Sequence, residues 1–276
     1  MKVVRTIILC LCIATFALCV NDPAFVPDTP EPEATDEPSG EGGESGGEVA
    51  ADKNYTLSGE NSSATGLEGL SSICLNEKRD GFYIAQDRGL LYEAGLDGTV
   101  KGTVPFKSSH DWEGVTVNPD DGTIYLCEER EWAIYEVNTD RKDVSLVDKI
   151  SVEGGVSNKG FEGITYGNGF LYVANQASPT RIYKYSIKEK KVVSTMDIGF
   201  AEYLSDIFFE ESDGSLWITD SKKQRLTNID AESGETIAEF NISFVKKPEG
   251  FCLDKERKLF WFCCDKTGNL HSISYK

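Results

Sequence analysis

The chain has 276 residues, with 46 acidic and 28 basic side chains and a formal net charge of −18. That length suits one large domain or two small ones. The charge excludes nucleic acid as a partner, because phosphate contacts need clustered Lys and Arg; it favours solubility and is compatible with cation binding.

In chain order, residues 1–20 read as an export signal: Lys2 and Arg5, then an apolar run from Thr6 to Val20, short for a membrane span. Cys19 closes that run as in a bacterial lipoprotein signal, although Leu18 stands before it where a small residue is usual. Cys19 is therefore the expected lipidation site, against the plainer reading of a cleaved signal with an incidental cysteine. The expected location is the bacterial cell envelope, as an outer-membrane lipoprotein touching the membrane only through its anchor. Residues 21–53 are acidic and rich in Pro and Gly, a tether that buries too little to order itself. The "GESGG" string at 43–47 matches a nucleophile elbow in letters only, since no strand precedes it and no helix follows.

From residue 54 onward one unit recurs five times. It starts in "GLEGLSSI" (66–73), "DWEGVTVN" (111–118), "GFEGITYG" (160–167), "YLSDIFFE" (203–210) and "KPEGFCLD" (247–254). The acids Glu68, Glu113, Glu162, Asp206 and Glu249 recur every 43 to 49 residues. After each comes a turn signal such as Asn168-Gly169, then an apolar, aromatic strand such as "FLYVANQ" or "LFWFCCD", then a third strand and, in four units, a fourth. A period in the forties filled only with strand signals predicts an all-β chain, a five-bladed β-propeller of four antiparallel strands per blade. The fifth unit lacks a fourth strand, and "NYTLSG" at 54–59 lacks a sheet, so the N-terminal strand is expected to complete the last blade.

In such a blade the first strand lines a central channel and the second returns antiparallel to the same face. The five acids, with Asp87, Glu129, Gln176, Asp220 and Asp265 from the second strands, are expected to converge on one mouth. Crowded carboxylates must protonate, pair, or hold a cation, and oxygen donors without His or Cys suit Ca²⁺. Acids that lock blade to blade by accepting backbone N–H bonds are an equally good account of the period. Arg88, Arg130, Lys222 and Lys266 sit beside the second-strand acids, and His110 and Trp112 precede Glu113; these six form a candidate ligand rim. Phe161 and Tyr203 precede two other acids, where packing between blades competes with a ligand cup. His271, in a third strand, reads as structural. Five cysteines lie beyond residue 54 with no C-x-x-C pair, which leaves zinc unsupported; buried thiols are the main reading and one disulfide the other.

The units "LEGLSSICLNEKRDGFYIAQDRGLLYEAGLDG", "DWEGVTVNPDDGTIYLCEEREWAIYEVN" and "PEGFCLD" with "KLFWFCCDKTGNLHSIS" resemble the SdiA-regulated (YjiK-like) family of bacterial exported proteins. The resemblance implies a propeller distantly related to NHL repeats, with a calcium site in its acidic mouth and no established catalysis. Its calcium contacts would fall among Glu68, Glu113, Glu162 and Glu249 and the second-strand acids; blade four, with Ser205-Asp206, and blade three, with Gln176, depart from the pattern. Two functions stay open. One is a monomeric surface module that binds a protein, a glycan or a small anionic ligand. The other is a calcium-dependent hydrolase of phosphate esters resembling propeller phytases.

Overall fold

The computed structural model describes residues 55–106 and 108–276; the signal, Cys19 and the tether at 21–53 lie outside the described residues. Strand β1 (Leu57–Ala64) comes first. Blade one holds β2 (Leu70–Leu75), β3 (Gly81–Gln86), β4 (Leu90–Gly95) and β5 (Val100–Thr103). Blade two holds β6 (Trp112–Val117), β7 (Ile124–Glu128), β8 (Ala133–Asn138) and β9 (Asp143–Lys149). Blade three holds β10 (Phe161–Gly167), β11 (Phe170–Asn175), β12 (Arg181–Ser186) and β13 (Lys191–Asp197). Blade four holds β14 (Leu204–Glu210), β15 (Ser215–Asp220), β16 (Arg225–Asp230) and β17 (Thr236–Asn241). Blade five holds β18 (Pro248–Asp254), β19 (Leu259–Cys264) and β20 (Asn269–Tyr275). Between strands the described chain forms a single 3₁₀ turn, Ser157–Lys159.

Each sheet is an antiparallel meander, and β1 supplies the fourth strand of the fifth, beside β20. Its register sets Leu57 opposite Tyr275 and Ala64 opposite Asn269, so the strand starts later and runs further than "NYTLSG". The first strands β2, β6, β10, β14 and β18 neighbour one another in sequence, and β18 returns to β2, which closes a ring of five.

Side chains along a strand alternate between two faces, and here both faces of each blade meet a neighbour. That is why "FLYVANQ" and "LFWFCCD" read as unbroken apolar runs. The core divides into five clusters, one in each gap between blades. Trp112 fills the gap between blades one and two, and Phe161 that between two and three, both fully buried. Trp112 is thus a packing residue, contrary to its expected place on the rim; an indole is large enough that the gap captures it first. His110 lies against its ring, 4.9 Å between centroids, and 4.5 Å from that of Tyr135. The Asn168-Gly169 turn has φ of +51° and +81°, the left-handed pair that tight hairpins need. All five cysteines of the described chain are free thiols, four of them buried.

Candidate metal centre at the channel mouth

Every first strand is kinked at its start by a bulge. In blade two, Trp112 lies opposite Glu128 and Gly114 opposite Cys127, so Glu113 is the extra residue and is turned out of the ladder. Glu162 holds the same place in blade three and Glu249 in blade five. In blades one and four the extra residues are Ser71 and Ser205. The ring of bulged residues is therefore three glutamates and two serines, not five acids. Glu68 lies before β2, exposed, with Arg88 at 3.7 Å. Asp206 lies one place further along its strand than the glutamates do in theirs.

That further place is glycine in three blades, and the reason is distance. A Cβ at Gly163 would stand 2.7 Å from the Asp206 Cα, and one at Gly114 would stand 2.8 Å from the Ile164 nitrogen. Ser72 and Asp206 occupy the same position in blades one and four and use it for hydrogen bonds. Val115 N donates to Ser72 Oγ at 3.3 Å, and Phe251 N donates to Asp206 Oδ2 at 2.7 Å, each from the next blade. Ser72 Oγ also donates to Asp206 Oδ2 at 3.3 Å. Blades one and four are not neighbours, so this last bond spans the axis and bars the channel. Two residues on, Thr116 Oγ1 accepts from Tyr166 N and Thr165 Oγ1 from Phe209 N, both at 3.0 Å. Ser205 Oγ donates to the Pro248 carbonyl at 2.8 Å. Ser72, Thr116, Thr165, Ser205 and Asp206 thus latch blade to blade near the axis. The bulged glutamates Glu113, Glu162 and Glu249 make no such bond among the described residues.

The second strands end by the same alternation. Gln86, Glu128, Asn175, Asp220 and Cys264 face the loops, and the following residue faces the mouth. Asp220 accordingly accepts N–H bonds from Glu202 at 2.7 Å, Lys222 at 3.1 Å and Lys223 at 3.0 Å, as a turn cap. Ser221 takes the position in blade four that Asp87, Glu129, Gln176 and Asp265 take in the others.

What converges is one sector of the mouth. One oxygen each from Asp111, Glu113 and Glu129 lies within 4.8 Å of the other two. Glu113 has no hydrogen bond or ion pair among the described residues. Burial drives its carboxyl well above the usual range, and Glu162, Asp111, Glu129 and Glu249 push it the same way. Burial also raises Glu162, with Glu249 and Glu129 adding to it, while Gln176 Nε2 donates to its Oε1 at 2.8 Å. Glu129 is pushed up to about 7 by burial and then by Asp111. Glu249 reaches about 7 through burial, held down by Lys247 at 3.2 Å. Asp87 is raised by burial, then by Asp111 and Asp265. Asp206 is raised well above its ordinary value by burial despite three donors.

The cations divide. Arg130 Nε is 3.1 Å from Asp111 and 3.8 Å from Glu129, and Lys247 bridges Glu249 and Asp265. Arg88 holds Glu68 and Asp87. Lys222 pairs with Glu202 at 3.3 Å over the Tyr203 ring, and Lys266 is exposed.

A sequence model of the SdiA-regulated family matches residues 48–262. The chain belongs to the SdiA-regulated family. Among solved structures it is similar to the glutaminyl cyclase of Myxococcus xanthus, with a TM-score of 0.61 and 13% identity over 80% of this chain and 96% of that one. It is also similar to the hydrazine synthase of Kuenenia stuttgartiensis, with a TM-score of 0.50 and 15% identity over 71% of this chain and 55% of that one. At these identities the likeness is one of fold. No curated protein sequence matches the chain.

In this member of the SdiA-regulated family, sequence reasoning passed over two residues of the mouth. Asp111 stands two places before Glu113, the spacing that sets strand side chains on one face. Lys247 stands two places before Glu249 by the same rule. The string Leu-Ser-x-Ile, shared by Leu70–Ile73 and Leu204–Ile207, marks the two blades in which serine replaces glutamate.

Proposed function

We propose that the mouth binds one Ca²⁺ through Asp111, Glu113 and Glu129, with Glu162 beside them, and that the loaded mouth holds a ligand without turning it over. The observation that carries this reading is the convergence of three carboxylates around Glu113, a glutamate with no partner among the described residues. Ligands on opposite sides of a calcium ion stand about 5 Å apart, so oxygens within 4.8 Å of one another fit one shell. The donor set is all carboxylate, the chemistry of a hard cation. Bound Ca²⁺ would supply a positive charge at the opening and vacant coordination positions for an oxygen of a glycan, a protein carboxylate or a small anion. Phosphate-ester hydrolysis is less well supported, because Arg88 is engaged by Glu68 and Asp87 and Lys247 by Glu249 and Asp265; Arg130, which pairs with Asp111 and Glu129, would yield both to the ion.

Metal analysis of the purified protein, with melting curves in calcium and in chelator, tests the site. The expected result is one calcium per chain and a melting point that rises with calcium, since a ligand at a hundred times its Kd adds about 2.7 kcal/mol. Glu113→Gln and Glu129→Gln should each remove most of that rise. Absence of metal and of any shift overturns the proposal. Calcium-dependent turnover of p-nitrophenyl phosphate, lost in Glu113→Gln, would replace the binding reading with the hydrolytic one.

A further inference from the structure

The far end of the channel carries a second, chemically different cavity. The first strands start at the acidic mouth, and their other ends, from all five blades, enclose a space of 600 Å³. That volume lies within the range of small-molecule sites, about 300 to 1,000 Å³. The Ser72–Asp206 bond across the axis separates it from the acid cluster. Its floor is a tier of five equivalent apolar residues, one per blade: Ile73, Val115, Ile164, Ile207 and Phe251. Half-buried Leu75, Val117, Tyr166 and Phe208 form the wall above.

The rim has the opposite character. Of the charged residues that line it, four are acidic, Glu77, Glu210, Glu211 and Glu256, and two basic, Arg79 and Lys255. Lys255 is taken by Glu210 at 2.9 Å, and Arg79 by Glu256 at 3.5 Å and Asp254 at 3.8 Å. Glu77, which accepts from the Tyr83 hydroxyl at 3.3 Å, and Glu211, both exposed, carry the surplus negative charge. An apolar chamber whose edge holds uncompensated carboxylates and two aromatic rings suits a molecule with an apolar body and a cationic head.

We propose that this cavity is a binding site for a hydrophobic primary amine. Its alkyl or aryl body stands on the five-residue floor, and its ammonium lies at the rim between Glu77 and Glu211, near the faces of Tyr166 and Phe208. The site is independent of calcium at the other mouth.

Calorimetric titration of the full chain with n-octylammonium chloride, sodium octanoate and 1-octanol tests it. Octylammonium should bind one to one, at least tenfold more tightly than octanoate or octanol. Glu77→Gln with Glu211→Gln should weaken octylammonium at least fivefold and leave octanol unchanged. Leu75→Trp should abolish binding of all three by filling the chamber. Because that variant risks the fold, Glu211→Arg, on an exposed side chain, provides a second check and should also weaken octylammonium. Glu113→Gln with Glu129→Gln should leave the binding intact, which keeps this result distinct from failure of the calcium site. Equal affinity for octanoate, loss of binding in the Glu113/Glu129 pair, or full binding in the Glu77/Glu211 pair would overturn the proposal.

Discussion

Asp206 and Glu113 show how one residue of offset changes the work of a carboxylate. Asp206 sits where other blades carry glycine and accepts from Phe251 N and Ser72 Oγ inside the protein. Burial raises its carboxyl, yet Ile207 N donates to Oδ1 and Phe251 N to Oδ2, so both oxygens act as acceptors and an amide would set its NH2 against one backbone N–H. Asp206→Asn, which leaves one backbone N–H facing a donor, and Asp206→Ala, which strands the Phe251 N–H, are each expected to cost about 1–3 kcal/mol in urea unfolding. Glu113 is turned into the mouth with no such donors, and burial pushes its neighbours Glu129 and Glu249 up to about 7 from an ordinary 4.5. Between those values the folded chain holds protons that the unfolded chain has released. Stability in chelator should therefore fall as pH rises from 4.5 to 7, because there the native state binds more protons. The stabilisation gained from calcium should grow over the same window, as protons cease to compete for the oxygens; melting points at pH 5 and 7.5, with and without calcium, measure both. The repeated acid was visible in the sequence. Its position was not, because Glu-Gly in "GLEGLSSI" mimics the bulge motif three residues early, and a short motif carries no information about which residue leaves the ladder.

At the level of strands, the hairpins were legible because each needs only local signals: an apolar run, a turn with glycine, a second run. Register was harder. Asp220 and Asp265 both end apolar runs, yet Asp220 pairs in the ladder with Leu204, and Asp265 lies one place beyond it. A slip of one residue reverses the side-chain face, so Asp220 caps a turn and Asp265 reaches the mouth. The close approach of β10 to β14 has its own signature in Gly163, where an added methyl meets backbone rather than a flexible side chain. Gly163→Ala should cost about 1–3 kcal/mol in chemical denaturation, the range for overpacking a tight contact. β1 is held by its ladder to β20 and by Tyr55, whose ring lies 4.6 Å from that of Tyr275 and 5.8 Å from that of Phe260. A chain begun at residue 65 leaves the edge of β20 unpaired; it should lose cooperative thermal unfolding and aggregate on gel filtration.

Across the whole molecule, a five-fold scaffold carries an asymmetric site. The repeats differ little in strands and much in the first few residues of each blade, where three glutamates, two serines, Asp111 and Lys247 decide the chemistry. The ring was readable from periodicity because the repeat is a packing requirement: every blade must present two apolar faces. The sector that gathers charge was not, because it depends on which blades depart from the repeat. The cavity at the far end left still less trace, since its five floor residues are ordinary strand hydrophobes until the ring places them opposite one another.

Thr56 and Lys276 exchange backbone hydrogen bonds, at 3.1 and 3.2 Å, beside the β1–β20 ladder. The two described ends of the polypeptide therefore meet at one spot. Circular permutation should be tolerated here: a short peptide joining Lys276 to Tyr55, with the chain cut instead at the Asn168-Gly169 turn, would leave every strand its present neighbours.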